Sequence, residues 1–244
     1  MRRLSNHWWR VLGAAIVIQL LRLNLLAGTF IVNPVRIDVS AARPNAVMQI
    51  ENMSSDAVTL QVHVVTWSSQ GAVDQYADTD EILLNPPIFS LEPHQKQFLR
   101  LGLRHGNSGA LERTYRLILE EVPAPPKPGF SGLTTILKIS VPIFSSPGTK
   151  VAPRVSWHAE RTATGVKIVG INSGSAHLQL RHFELRDTAH KDAALSRILT
   201  DYLLPGQTKA WDFDDEHLLQ SGEIAFRAET DAGEVREELV PQHP

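Results

Sequence analysis

The side chains able to do chemistry in this chain are few, and their spacing excludes most reactions. None of the ten histidines falls in an H-E-x-x-H pattern. With no cysteine anywhere, there is no thiolate nucleophile, no disulfide and no thiolate metal site. His158, His177, His182 and His190 are scattered through the C-terminal half without ligand spacing and read as polar surface residues. The acidic run DQYADTDE carries Asp74, Asp78, Asp80 and Glu81. It lacks the glycine and ligand order of a calcium loop and reads as a solvated loop. Glu120 and Glu121 are neighbours on a predicted strand, so they point to opposite faces and cannot share a substrate. There is no G-x-S-x-G elbow and no phosphate-cradling glycine loop. The sequence predicts no catalytic residue, no metal and no cofactor.

One charge stands out by its surroundings. Lys138 sits in GFSGLTTILKISVPIFSSP, Gly129 to Pro147, which follows a proline-rich break at Pro123, Pro125, Pro126 and Pro128. The stretch reads as a strand by its β-branched content and alternation. Leu133, Thr135, Leu137, Ile139 and Val141 fall on one parity; Thr134, Ile136, Lys138 and Ser140 fall on the other. An ammonium buried without a partner is costly, so two readings stand. Lys138 lies on the solvated face of a sandwich edge, or the strand pairs with a guest polypeptide and Lys138 holds an anionic group of that guest. Pro142 fits an edge, a bulge or a strand end.

The elements that must position this strand are β throughout. In the first 28 residues, MRRLSNHWWR is basic with no acid, and the apolar run VLGAAIVIQLL is broken by Arg22. That run is too short for a transmembrane helix. It reads as a cleaved secretory signal peptide, with Leu25 and Ala27 at the −3 and −1 positions. Beyond it, FIVNPVRIDVS is a strand with a proline at a kink, and AVTLQVHVVTW puts Val58, Leu60, Val62 and Val64 inward. KQFLRLGLR and YRLILEEV continue the alternation. Short strands with frequent turns predict a sandwich. The pattern then starts again: NMSSDAVTLQV from Asn52 is echoed by NSGSAHLQL from Asn172, and LEPHQ from Leu91 by LLPGQ from Leu203. Two echoes in the same order predict two related immunoglobulin-like β-sandwich domains, residues 29–147 and 154–244. With 24 basic and 26 acidic side chains, a nucleic-acid partner is not expected.

Together these stretches resemble the periplasmic pilus (fimbrial) chaperones of the chaperone–usher pathway. Arg36 of NPVRIDVS occupies the place of that family's carboxylate-binding arginine. NPPIFSLEPHQKQFLRLGL resembles its two prolines, leucine-x-proline turn and arginine-bearing strand, and Glu112 sits where it carries an interdomain salt-bridge glutamate. The ending S-V-P-I-F resembles the archaic branch, with Ser145 and Ser146 where the arginine partner of that glutamate would lie. The resemblance implies a periplasmic chaperone that donates a strand bearing Leu133, Thr135, Leu137 and Ile139 to pilin subunits. Arg36 and Lys138 would bind the subunit's C-terminal carboxylate, and an outer-membrane usher would receive the complex. It implies no enzyme activity, no small-molecule substrate and no cofactor. A structural or adhesive β-sandwich subunit of a cell-surface pilus would share the fold and the leader, and stays open at this point.

Overall fold

The computed structural model describes residues 30–70, 73–123, 135–188, 194–219 and 222–242. Residues 1–29, Pro125, Pro126, Pro128, Leu133, Thr134 and His190 lie outside them. The N-terminal half forms β1 (Phe30–Asn33), β2 (Ile37–Ser40), β3 (Asn45–Asn52), β4 (Val58–Gln70), β5 (Val73–Asp78), β6 (Ile82–Asn85), β7 (Ile88–Leu91), β8 (Lys96–Leu103), β9 (Arg113–Val122) and β10 (Lys138–Ser146). These make two sheets, ordered β1-β3-β8-β6 and β2-β10-β9-β4-β5, with β7 also paired to β4. The C-terminal half forms β11 (Val155–Arg161), β12 (Gly165–Asn172), β13 (Leu178–Asp187), β14 (Ala194–Leu203), β15 (Thr208–Asp214), β16 (Ile224–Thr230) and β17 (Gly233–Leu239). Its sheets run β11-β12-β15 and β14-β13-β16-β17. The fold is all-β, two packed sandwiches in series.

Alternation in the sequence becomes the inner face of each sandwich. Leu60, Val62 and Val64 of β4 meet Met48, Ile50, Leu99, Leu101, Leu117 and Leu119 in the first core. Val58 is only partly buried and packs at its margin. The first strand divides at Pro34: β1 pairs with β3 in one sheet, and β2 pairs with β10 in the other. A residue without an N–H suits the crossing point, where the chain leaves one ladder for the next. The acidic run differs from the expected loop, because Val73–Asp78 is an edge strand paired to β4. Glu81 at its end accepts a hydrogen bond from the Tyr115 hydroxyl and an ion pair from Arg113. Burial and that carboxylate together push the Tyr115 phenol far above its ordinary range.

The echoed motifs build the same knot twice. Asn52 is fully buried and donates to the Asp56 and Leu91 carbonyls, and Asn172 donates equivalently to Ala176 and Leu203. Each asparagine oxygen accepts a backbone N–H two residues on, from Ser54 or Gly174. Gln95 and Gln207 close the facing turns by accepting from the Glu92 and Leu204 N–H groups. The two buried asparagine amides persist because their donors find oxygens, whereas Nε2 of the buried Gln207 has no partner. In each turn one residue adopts a left-handed backbone, Gly206 at φ 75° and His94 at φ 62°.

Candidate functional site: the open edge of β10 and the cleft beside it

The strand β10 has a partner along only half of one side. On its other side it pairs with β9 throughout, Lys138 opposite Glu120 and Ser145 opposite Arg113. Toward β2 it pairs only from Ile143 to Ser146, in parallel with Ile37 to Ser40. Among the described residues, no strand covers Lys138 to Pro142 on that side. The hydrogen bond from the Glu121 N–H to the Leu137 carbonyl (3.0 Å) sets the phase of the ladder. Odd-numbered residues therefore turn their backbone groups to β9, and Lys138, Ser140 and Pro142 turn theirs to the open side. The N–H that Pro142 lacks belongs to the open side, so the β9 ladder loses nothing.

Side chains follow the same division. Val141 and Ile143 are buried in the first core, and Ile139 packs against it half-buried. Leu137 is half-buried and Thr135 exposed, so burial fades toward the open end of the strand. The other parity faces outward: Ile136 is 52 % exposed, and Lys138 pairs with Glu120 at 2.5 Å. The hydrogen bond from Lys138 lowers the Glu120 pKa.

At the covered end, β10 enters a cleft between the sandwiches. Phe144 is fully buried there with Trp67, Tyr202 and Leu204, a small core separate from the two large ones. Two guanidinium groups flank it. Arg36 lies 5.0 Å from the Phe144 ring centre, and its head pairs with Asp38 at 3.0 Å and with Asp231 of the other sandwich at 2.8 Å. Arg116, opposite Pro142 in the ladder, lies 3.6 Å above the Trp67 ring and 5.6 Å from that of Tyr202. Its Nε is buried without a hydrogen-bond partner. Among the described residues no carboxylate pairs with it, and burial lowers its pKa. Burial raises the pKa of the Tyr202 phenol, and both guanidinium groups work against that rise.

Residues 29–150 match the family of pili and flagellar-assembly chaperones, PapD N-terminal domain. The chain belongs to that family. It is a chaperone of pilus assembly, which sets aside the reading as a pilus subunit. No characterised protein sequence matched it. Among solved structures, it is similar to the chaperone–tip adhesion subunit pre-assembly complex (CsuC–CsuE) of the archaic Csu pili of Acinetobacter baumannii. That match has a TM-score of 0.64 and 19 % identity over 88 % of this chain and 99 % of the other. The Salmonella enterica SafA pilin–SafB chaperone complex matches at a TM-score of 0.60 and 18 % identity, over 88 % and 97 %. The Pseudomonas aeruginosa CupB2 chaperone matches at 0.54 and 15 %, over 85 % and 98 %. Identities this low establish the shared fold.

In this chaperone the residues named from the sequence do not all meet. Arg36 immediately precedes Ile37, which lies opposite Ile143, whereas Lys138 is five positions upstream on β10. Arg36 is thus level with Pro142, four positions from Lys138, or roughly 13 Å at ~3.3 Å per residue, and each cation already pairs with carboxylates of its own, Asp38 and Asp231 for Arg36 and Glu120 for Lys138. Glu112 does have an interdomain partner, though not on β10: it accepts from His177, whose Nδ1 is 2.6 Å away. His177 is accordingly no surface residue; it is 6 % exposed. Sequence reasoning missed it, and it missed Arg116. Only the outward parity of Arg116 in YRLILEEV was available as a signal.

Proposed function

We propose that this chaperone holds a pilin subunit by donating the open edge of β10 as a strand to it. The observation that carries this reading is the half-covered strand: Lys138 and Ser140 present backbone groups to the open side, while Ile139 and Leu137 extend the inner apolar face beyond the chaperone's own core. A subunit lacking one strand of its sandwich would pair with these groups and set its apolar groove over those side chains, which otherwise would aggregate. Backbone pairing supplies affinity for any such subunit, and the alternating side chains supply fit. Leu133 and Thr135 belong to the upstream part of the same donated stretch.

The subunit's C-terminal carboxylate is bound in the cleft, between Arg116 and Arg36 beside Tyr202. Arg116 is the better anchor, since Asp74 and Asp201 act on it only at a distance and no carboxylate among the described residues forms an ion pair with it, whereas Arg36 is already shared by two carboxylates. Charge-assisted bonds at this one point would fix the register of the whole added strand. Lys138 then acts at the far end of the open edge rather than on the carboxylate. We further assign the chaperone to the periplasm, exported by residues 1–28 and delivering its subunit to an outer-membrane usher. Hydrogen exchange on the chaperone with and without its co-expressed subunit tests the central point. The Lys138 and Ser140 amides should gain protection on binding; protection gained only on other strands would overturn strand donation.

A further inference from the structure

A buried histidine at the elbow has no part in subunit capture as proposed. His177, just ahead of β13, stacks on Phe144 with centroids 3.5 Å apart and planes 9° from parallel. Each ring nitrogen faces a carboxylate: Nδ1 is 2.6 Å from Glu112 and Nε2 is 3.6 Å from Asp231. Glu112 comes from the turn ahead of β9 in the first sandwich, and Asp231 from the β16–β17 turn in the second. A neutral imidazole carries one N–H and one lone pair. It can satisfy only one of these carboxylates and must turn its lone pair toward the other. The imidazolium suits both.

We propose that His177 is a positioning residue that holds the two sandwiches, and the cleft between them, at one angle only while its ring is charged. The charged and titratable groups around it come from every neighbouring element: Glu112, Asp231, Arg36 ahead of β2 with Asp38 behind it, and the Tyr202 phenol on β14, whose ring lies 5.8 Å away. β10 contributes only the apolar Phe144. Two carboxylates therefore face the ring, opposed by one guanidinium. Burial alone would lower the His177 pKa, but the facing carboxylates of Asp231, whose 3.6 Å contact with Nε2 is an ion pair and not a hydrogen bond, and of Glu112, hydrogen-bonded to Nδ1, outweigh it and the pKa is raised. A raised folded value means the clamp is complete below the ordinary 6.5 and is lost as pH climbs through the raised value. Because Phe144 lies on β10, loss of the charge loosens the strand's covered end as well as the elbow. The elbow itself behaves this way whatever occupies the cleft.

The absence of cysteine allows a fluorophore pair at Glu92→Cys and Glu238→Cys, one on each sandwich, to report the distribution of interdomain distances. In the wild type it should be narrow at pH 6 and widen severalfold by pH 10. His177→Gln should be wide at pH 6 already. His177→Arg, a planar cation that also stacks on aromatic rings, should be narrow at both. A wild-type distribution unchanged from pH 6 to pH 10, or a His177→Gln distribution as narrow as wild type at pH 6, would overturn the proposal. The wild-type comparison decides the matter even if a variant fails to fold.

Discussion

At Arg116 a guanidinium lies against an indole with its Nε unsatisfied, an arrangement that costs stability unless an anion arrives. Removing it should therefore separate folding from function. Arg116→Ala is expected to leave the thermal midpoint unchanged or slightly raised while weakening subunit capture by about 1.5–3 kcal/mol, roughly ten- to a hundredfold in affinity. Subunit titration beside a melting curve checks both halves; undiminished affinity would move the carboxylate elsewhere. Arg36→Ala should differ, because its ion pair with Asp231 joins the two sandwiches. It should lower the midpoint by the equivalent of about 0.5–1 kcal/mol, the pair being only partly buried, and weaken capture less than Arg116→Ala does. Neither arginine's condition was legible in the sequence. Alternation placed Arg116 outward on its strand, but the lack of a partner is a property of packing between elements far apart in the chain. The same holds for Glu112, whose partner His177 lies 65 residues away on the other sandwich, where no spacing rule would look for it.

At the scale of the element, the open edge of β10 makes a prediction that side-chain substitutions cannot. Ser140 turns its backbone to the open side, so Ser140→Pro removes a donor there without touching the β9 ladder. It should keep most of the stability and lose capture, measured as soluble subunit recovered on co-expression. Ile139→Pro strikes the β9 ladder and the core together and should unfold the domain. Equal recovery from Ser140→Pro and wild type would show that the edge is not the docking line. The paired knots make a second prediction. His94 holds the left-handed conformation that Gly206 holds in the other sandwich, at a penalty of about 1–2 kcal/mol for a residue with a Cβ. Set against the flexibility glycine adds to the unfolded chain, His94→Gly should stabilise by roughly 0.5–1 kcal/mol, read from the denaturant midpoint. These elements were the legible part. The echo of Asn52 in Asn172 and of Gln95 in Gln207 could be read directly, because each knot is closed by residues near in sequence. The β4 alternation was legible for the same reason. The half-cover by β2 was not, since it depends on where a strand more than 100 residues away begins to pair.

For the whole molecule, the elbow carries two groups whose titrations act in opposite directions. Burial would raise the Asp231 pKa, but the His177 ring facing it and bonds from the Gln179 N–H and Arg36 hold it well below the ordinary 3.8. Its contribution is present above 3.8 and fades as pH falls through the depressed value, whereas that of His177 is complete below 6.5. Thermal midpoints should therefore be highest between those pH values and decline on both sides, with the alkaline decline reduced in His177→Gln. N-terminal sequencing of the extracted protein should begin near Gly28 or Thr29; recovery of Met1 would refute cleavage of the leader. One further consequence belongs to Pro142. Under the proposed donation, the outward donors of the described edge are the N–H groups of Lys138 and Ser140, and the proline ends the series just where β2 takes over. A borrowed ladder that stops there cannot lengthen into the elbow, however long the guest. The grip is bounded, so the subunit's dwell time has an upper limit set by the chaperone's own chain, and dissociation stays within reach of whatever comes to collect it.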